Sequence, residues 1–190
     1  MKKQKVILVA VLLMTFAIKL VAQQAGEEMN SGVLYGDNWA CTIQAPNGWI
    51  LDNQSWVEYG VYAIFYPKGM TLHDNNKKMP IIYFKSAKLK SESDEELKAF
   101  VDYDLSNISQ DKSIIITERK IKTIYPNVYY CYDIEYTKSG QYETLIYIRY
   151  KDGVHLIILT SKDKKTRDNN IVNLIKVLEK LTFMNVTIKN

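Results

Sequence analysis

The segment 154–160 (VHLIILT) places Val154, Leu156 and Ile158 on one face of an extended strand and His155, Ile157 and Leu159 on the other. In the segment just before it, 142–151, Ile146 and Ile148 stand opposite Leu145 and Tyr147 in the same way. Asp152-Gly153 joins the two, a tight-turn pair that makes them antiparallel neighbours in a hairpin. A strand that is apolar on one side needs one cover; these two need a cover on each side. The chain therefore has to build a sheet with a layer above it and a layer below it.

The rest of the chain supplies the material. Residues 38–45 alternate loosely as a first strand and stop at Pro46-Asn47-Gly48. Residues 57–66 (VEYGVYAIFY) form a second strand, closed by Pro67-Lys68-Gly69, and 79–89 a third. Ser93 followed by Glu96 is a capping-box spacing, and Leu97, Phe100, Val101, Leu105 and Ile108 recur at helical period behind it. Strands are expected over 114–124 and 127–137 ahead of the hairpin. A last helix is capped by Asp168, with Ile171, Leu174, Ile175, Leu178 and Leu181 on its apolar stripe. The order βββαββββα, with short connections between successive strands, implies a single-domain α+β fold: an α-β-α sandwich around a mainly antiparallel sheet.

The ends read differently. Lys2, Lys3 and Lys5 precede an apolar run over 6–18, and Ala22 is a small residue at a cleavage position, so 1–22 has the three-part pattern of a secretory signal peptide. The run falls short of the about 20 residues a bilayer span needs. Cleavage falls after Ala22 or after Ala25. Residues 23–37 read as a flexible lead-in, 38–184 as the domain and 185–190 as a tail. The formal charge of +4 belongs to the leader: without its four lysines, 21 basic residues face 21 acidic ones. Nucleic acid is therefore not an expected partner, and no membrane span remains once the leader is removed. The expected location is periplasmic or secreted.

Export bears on the two cysteines, Cys41 and Cys131. In an oxidising compartment they could close a disulfide; otherwise they are two small apolar residues buried apart. The usual signatures of catalysis are missing: no G-x-S-x-G, H-E-x-x-H, Walker loop or G-x-G-x-x-G occurs. His73 beside Asp74 falls in a polar loop, and His155 falls mid-strand, where a core histidine is the ordinary outcome. Asp94, Glu95 and Glu96 sit where a helix N-terminus favours carboxylates. Lys162–Arg167 reads as a solvated connection. No catalytic residue, metal ligand or cofactor is assigned. Seven of the 14 tyrosines fall within 129–150, where Tyr129, Tyr130, Tyr132 and Tyr136 suit cross-strand packing and half-wet surface. Trp49, Trp56 and Tyr59 are close in sequence and are the candidate binding aromatics of a cleft.

Pro46-Asn47-Gly48-Trp49 after a first strand resembles the P-x-G-W opening of the PsbP-like superfamily. That group includes the photosystem II extrinsic subunit P, a Ran-binding import factor and DcrB-like exported proteins. The hairpin ending at Ser161 before a last helix, and the Thr182-Phe183 coda, are similar to the same group, so the resemblance spans 38–184. It implies a PsbP-like fold and a non-catalytic adaptor, assembly or chaperone role, and it carries over no site residue. The expected function is an exported envelope protein that binds a protein partner or a small ligand. The alternatives are a secreted hydrolase of unfamiliar type and a structural subunit of an envelope oligomer.

Overall fold

The computed structural model describes residues 30–72, 79–122 and 129–184. The hairpin read from the sequence lies in the middle of it. Its strands are β8 (Gln141–Tyr150) and β9 (Gly153–Ser161), and they belong to a seven-stranded antiparallel sheet. With β3 (Trp49–Asp52), β4 (Val61–Pro67), β5 (Ile81–Lys88), β6 (Ile114–Glu118) and β7 (Tyr129–Tyr136), the order is β3-β4-β5-β9-β8-β7-β6. The register sets Ile146 opposite Ile157 and Leu145 opposite Ile158, so each face of the hairpin meets apolar neighbours across the strands.

Each face has its own core. On one, Leu145, Tyr147, Val154, Leu156 and Ile158 pack under α1 (Asp94–Ile108), which buries Leu97 and Val101. The Ser93 hydroxyl accepts the Glu96 backbone N–H at 3.1 Å, so the expected cap is formed. On the other face, Ile146, Ile148, Ile157 and Leu159 pack with Ile82 and Phe84 into the larger core. A helix alone was expected to cover this side. The cover is instead a mixed layer: a three-stranded antiparallel sheet of β1 (Ser31–Tyr35), β2 (Ala40–Gln44) and β10 (Thr182–Met184), together with α3 (Ile171–Lys180). The α+β class and the mainly antiparallel sheet stand as expected.

Three local expectations change. The lead-in expected to be flexible over 23–37 contains β1 at its end. Only Leu34 of that strand is buried, so its pattern is faint, and its order comes from pairing along the length of β2. The strand expected from Val57 begins at Val61, because 57–59 form a 3-10 turn entered through Trp56 at φ 64° and left through Gly60 at φ 70°. The last helix is split. A first turn and a half, α2 (Lys164–Asn169), is capped by Asp163 accepting the Thr166 N–H at 2.8 Å, whereas Asp168 pairs with arginines instead of capping. The leader 1–22, His73 and the tail 185–190 lie outside the described residues.

Candidate ligand-binding groove

The mixed layer does not sit flush on the large sheet. Inward positions of β1 alternate between Gly32 and Leu34, and Gly32 lies opposite Ile43 of β2. With no side chain at Gly32, the backbone of β1 comes close against β3. A Cβ built there would come within 3.1 Å of Leu51 Cδ2. Beside this close approach lies an open groove of about 780 Å³, within the usual size of small-ligand sites. Gly32, Val33, Ile43 and Leu51 give it an aliphatic lining. Ser31, Thr42, Gln44 and Asn53 add hydroxyl and amide groups, and Lys180, in the last turn of α3, adds a cation. Sequence reasoning passed over all of these residues; the glycine inside an alternating segment was the one available signal, since such a position marks a close approach of backbone to a neighbour.

The aromatics singled out in the sequence do not form a cleft together. Trp49 is 5% exposed and belongs to the larger core. It pairs with Pro67 at the start of β3, whereas Trp56 and Tyr59 lie in the loop beyond the other end of that strand. Tyr59 is largely exposed and Trp56 partly so. The tyrosines of β7 divide between the faces: Tyr130, Tyr132 and Tyr136 pack beside α1, and Tyr129 packs against the larger core.

Cys41 and Cys131 are free thiols, so the disulfide is not formed. They approach the larger core from different sheets: Cys41 stands between Leu34 and Phe183 in the small one, and Cys131 opposite Ile146 in the large one. Burial pushes both thiols up to about 12. At pH 8 that leaves about one thiolate in 10⁴ thiols. Folded protein is therefore expected to be silent toward Ellman's reagent at pH 8, and guanidinium-unfolded protein to yield two equivalents. Fast reaction of the folded protein would contradict this placement.

Other polar groups in the interior are structural in their geometry. Arg167, expected to lie in a solvated charge run, is 3% exposed. Its Nη1 lies 3.1 Å from the Asp133 carboxylate and donates to the Glu143 carbonyl at 3.0 Å; its Nε lies 2.8 Å from Asp168 without a hydrogen bond. Asp133 also accepts from Arg119 Nε at 2.8 Å and from the Thr144 hydroxyl at 2.7 Å. This charge-balanced cluster ties α2 to β7, β8 and the segment after β6. Glu143 is buried, which pushes its carboxyl above the ordinary carboxylate range, against the pull of donors on Gln141, Tyr136 and Thr160.

His155 is fully buried among rings, with centroids 4.5 Å from Phe183, 4.9 Å from Trp39 and 5.7 Å from Phe84. Neither ring nitrogen has a hydrogen-bond partner of good geometry. Burial drops its pKa to about 3, opposed only by the backbone of Tyr150. A smaller recess of about 120 Å³ beside Trp39 is closed by its own polar groups, since Asn38 donates to Asp152 and Lys88 lies 3.7 Å from the same carboxylate.

No family model and no curated protein sequence matches this chain. Solved structures are similar to it. Cyanobacterial PsbP (CyanoP) from Synechocystis is 12% identical over 83% of this chain and 94% of its own, with a TM-score of 0.48. LpqN of Mycobacterium tuberculosis, described as involved in cell envelope biogenesis, is 17% identical over 81% of this chain and 90% of its own, with a TM-score of 0.49. A protein of Bacteroides thetaiotaomicron is 10% identical at a TM-score of 0.41, and its match covers 77% of this chain and 45% of the longer protein. PsbP, the group that Pro46–Trp49 resembles, is thus among the similar structures.

Proposed function

We propose that this chain is an exported, non-catalytic protein of the cell envelope that holds a small ligand in the groove between the small sheet and β3. The observation that carries this reading is the groove itself: a volume of ligand size, lined by aliphatic residues together with hydroxyl, amide and ammonium groups. Export rests on the leader-like pattern of 1–22, and no helix among the described residues is long and apolar enough to cross a membrane. The non-catalytic reading is supported by the thiols and the imidazole among the described residues: those of Cys41, Cys131 and His155 all lie in the core, out of reach of a substrate, and His73 lies outside the described residues.

Native mass spectrometry of the protein isolated gently from an envelope fraction tests this. The expected species is heavier than the bare chain by a small-molecule mass, and the excess disappears in Gly32→Val. That substitution forces the Leu51 side chain to shift at the groove wall while keeping an ordinary strand backbone, because the φ of Gly32 lies outside the left-handed region. An excess mass retained by folded Gly32→Val, or a mass excess equal to another protein chain, would overturn the groove as the functional site.

A further inference from the structure

Resting on the reading that the groove binds a small ligand, we infer that this ligand is a monoanionic amphiphile, with one carboxylate and a short aliphatic body. Among the described residues that line the groove, Lys180 alone carries charge. It stands at the C-terminal end of α3, where the helix dipole favours a cation and where an anion needs such a partner to be held at all. One cation matches one negative charge; a dianion leaves a charge uncompensated, and a cationic ligand meets repulsion. The floor is aliphatic, made by Ile43 and Leu51 with Val33 at the edge, and no aromatic ring lines it. A sugar or a flat heterocycle would find no ring face to stack on, whereas a methylene chain finds apolar surface along its length. The amides of Asn53 and Gln44 are further N–H donors in the groove lining.

Gly32 lets the backbone of β1 come against the Leu51 side chain, where even a single methyl group would meet Leu51 at 3.1 Å. The aliphatic body therefore lies along Ile43 and Leu51 beside that contact.

The test is a titration of ¹⁵N-labelled protein, lacking only its leader, with octanoate, octanol and octylamine, followed through the backbone amides of Gly32, Ile43 and Leu51. Octanoate is expected to shift these amides. Octanol is expected to bind about fivefold more weakly and octylamine more weakly still, the worth of one partly exposed ion pair. Lys180→Glu is expected to weaken octanoate about tenfold and to leave octanol unchanged, with the rest of the spectrum preserved. Octanol or octylamine binding as tightly as octanoate, or octanoate indifferent to Lys180→Glu, would overturn the ligand class while keeping the groove. If none of the three probes moves these amides, or if Gly32→Val leaves the shifts intact, the groove reading itself has failed.

Discussion

Arg167→Met is expected to destabilise the fold by about 3 kcal/mol in urea or guanidinium unfolding, at the low end for breaking a buried ion pair. The size follows from what the substitution strands. Arg167 is 3% exposed, and its guanidinium touches Asp133, Asp168 and the Glu143 carbonyl. Met fills comparable volume, so little of the loss is packing. Asp133 keeps Arg119 and the Thr144 hydroxyl, which limits the damage on that side, but the Glu143 carbonyl loses its added donor and Asp168 its nearer cation. Lys164→Ala provides the comparison within the same helix. Its ion pair with Glu135, at 3.2 Å, is mostly in water, and its loss is expected to cost under about 1 kcal/mol. Equal effects from the two substitutions would mean that the Arg167 cluster is no more than surface charge.

The second large effect is on the acid side of the stability profile. His155 has a folded pKa of about 3 against an ordinary value of 6.5. The unfolded chain therefore binds the proton first as pH falls. Stability from this group is complete above pH 6.5 and is lost progressively from there toward pH 3, with a slope near 1.4 kcal/mol per pH unit. Between pH 6.5 and pH 5 the loss is expected to reach about 2 kcal/mol. Glu143 acts with the opposite sign: its folded carboxyl is raised, so its protonation adds stability as pH falls from that raised value toward the ordinary value of 4.5, a window that lies above the ordinary carboxylate range. Glu143 is unchanged in His155→Leu, so the difference between parent and variant across pH 6.5 to pH 5 isolates the histidine. His155→Leu, which leaves an apolar side chain among Trp39, Phe84 and Phe183, is expected to flatten this interval and to be at least as stable as the parent at pH 5. A stability difference between parent and His155→Leu that stays constant from pH 6.5 to pH 5 would show that the ring is not held neutral by burial.

Much of the architecture is legible from local pattern. Period-two alternation in 142–160 identifies β8 and β9 and requires covers on both faces, because side-chain direction in a strand depends on nothing but position parity. Ser93 and Glu96 mark the start of α1 because a cap is a contact between residues three apart. Elements without such a signal were missed for the same reason in reverse. Residues 164–169 (KKTRDN) have no apolar stripe, and α2 is held by Asp163 at its start and by the burial of Arg167 against partners far along the chain. β1 has one buried side chain and owes its order to its partner strand.

The candidate site was hidden for a deeper reason. Trp49, Trp56 and Tyr59 are neighbours in sequence, but a short strand carries the first into the core and leaves the other two at its far end. Cys41 and Cys131 share a core without bonding, a matter of separation between two sheets that no spacing encodes.

By itself, then, the sequence determined the sheet-forming hairpin, the two-sided cover, the capped helix and the neutral charge of the chain behind its leader, since each depends on residues a few positions apart. Tertiary structure alone decided that the second cover is a small sheet and a helix, that Arg167 is buried, and that Gly32 lies against Leu51 at the wall of a groove. A glycine becomes a close contact only when another element, here Leu51 on β3, is set across from it, and that distance belongs to the packing of the two sheets.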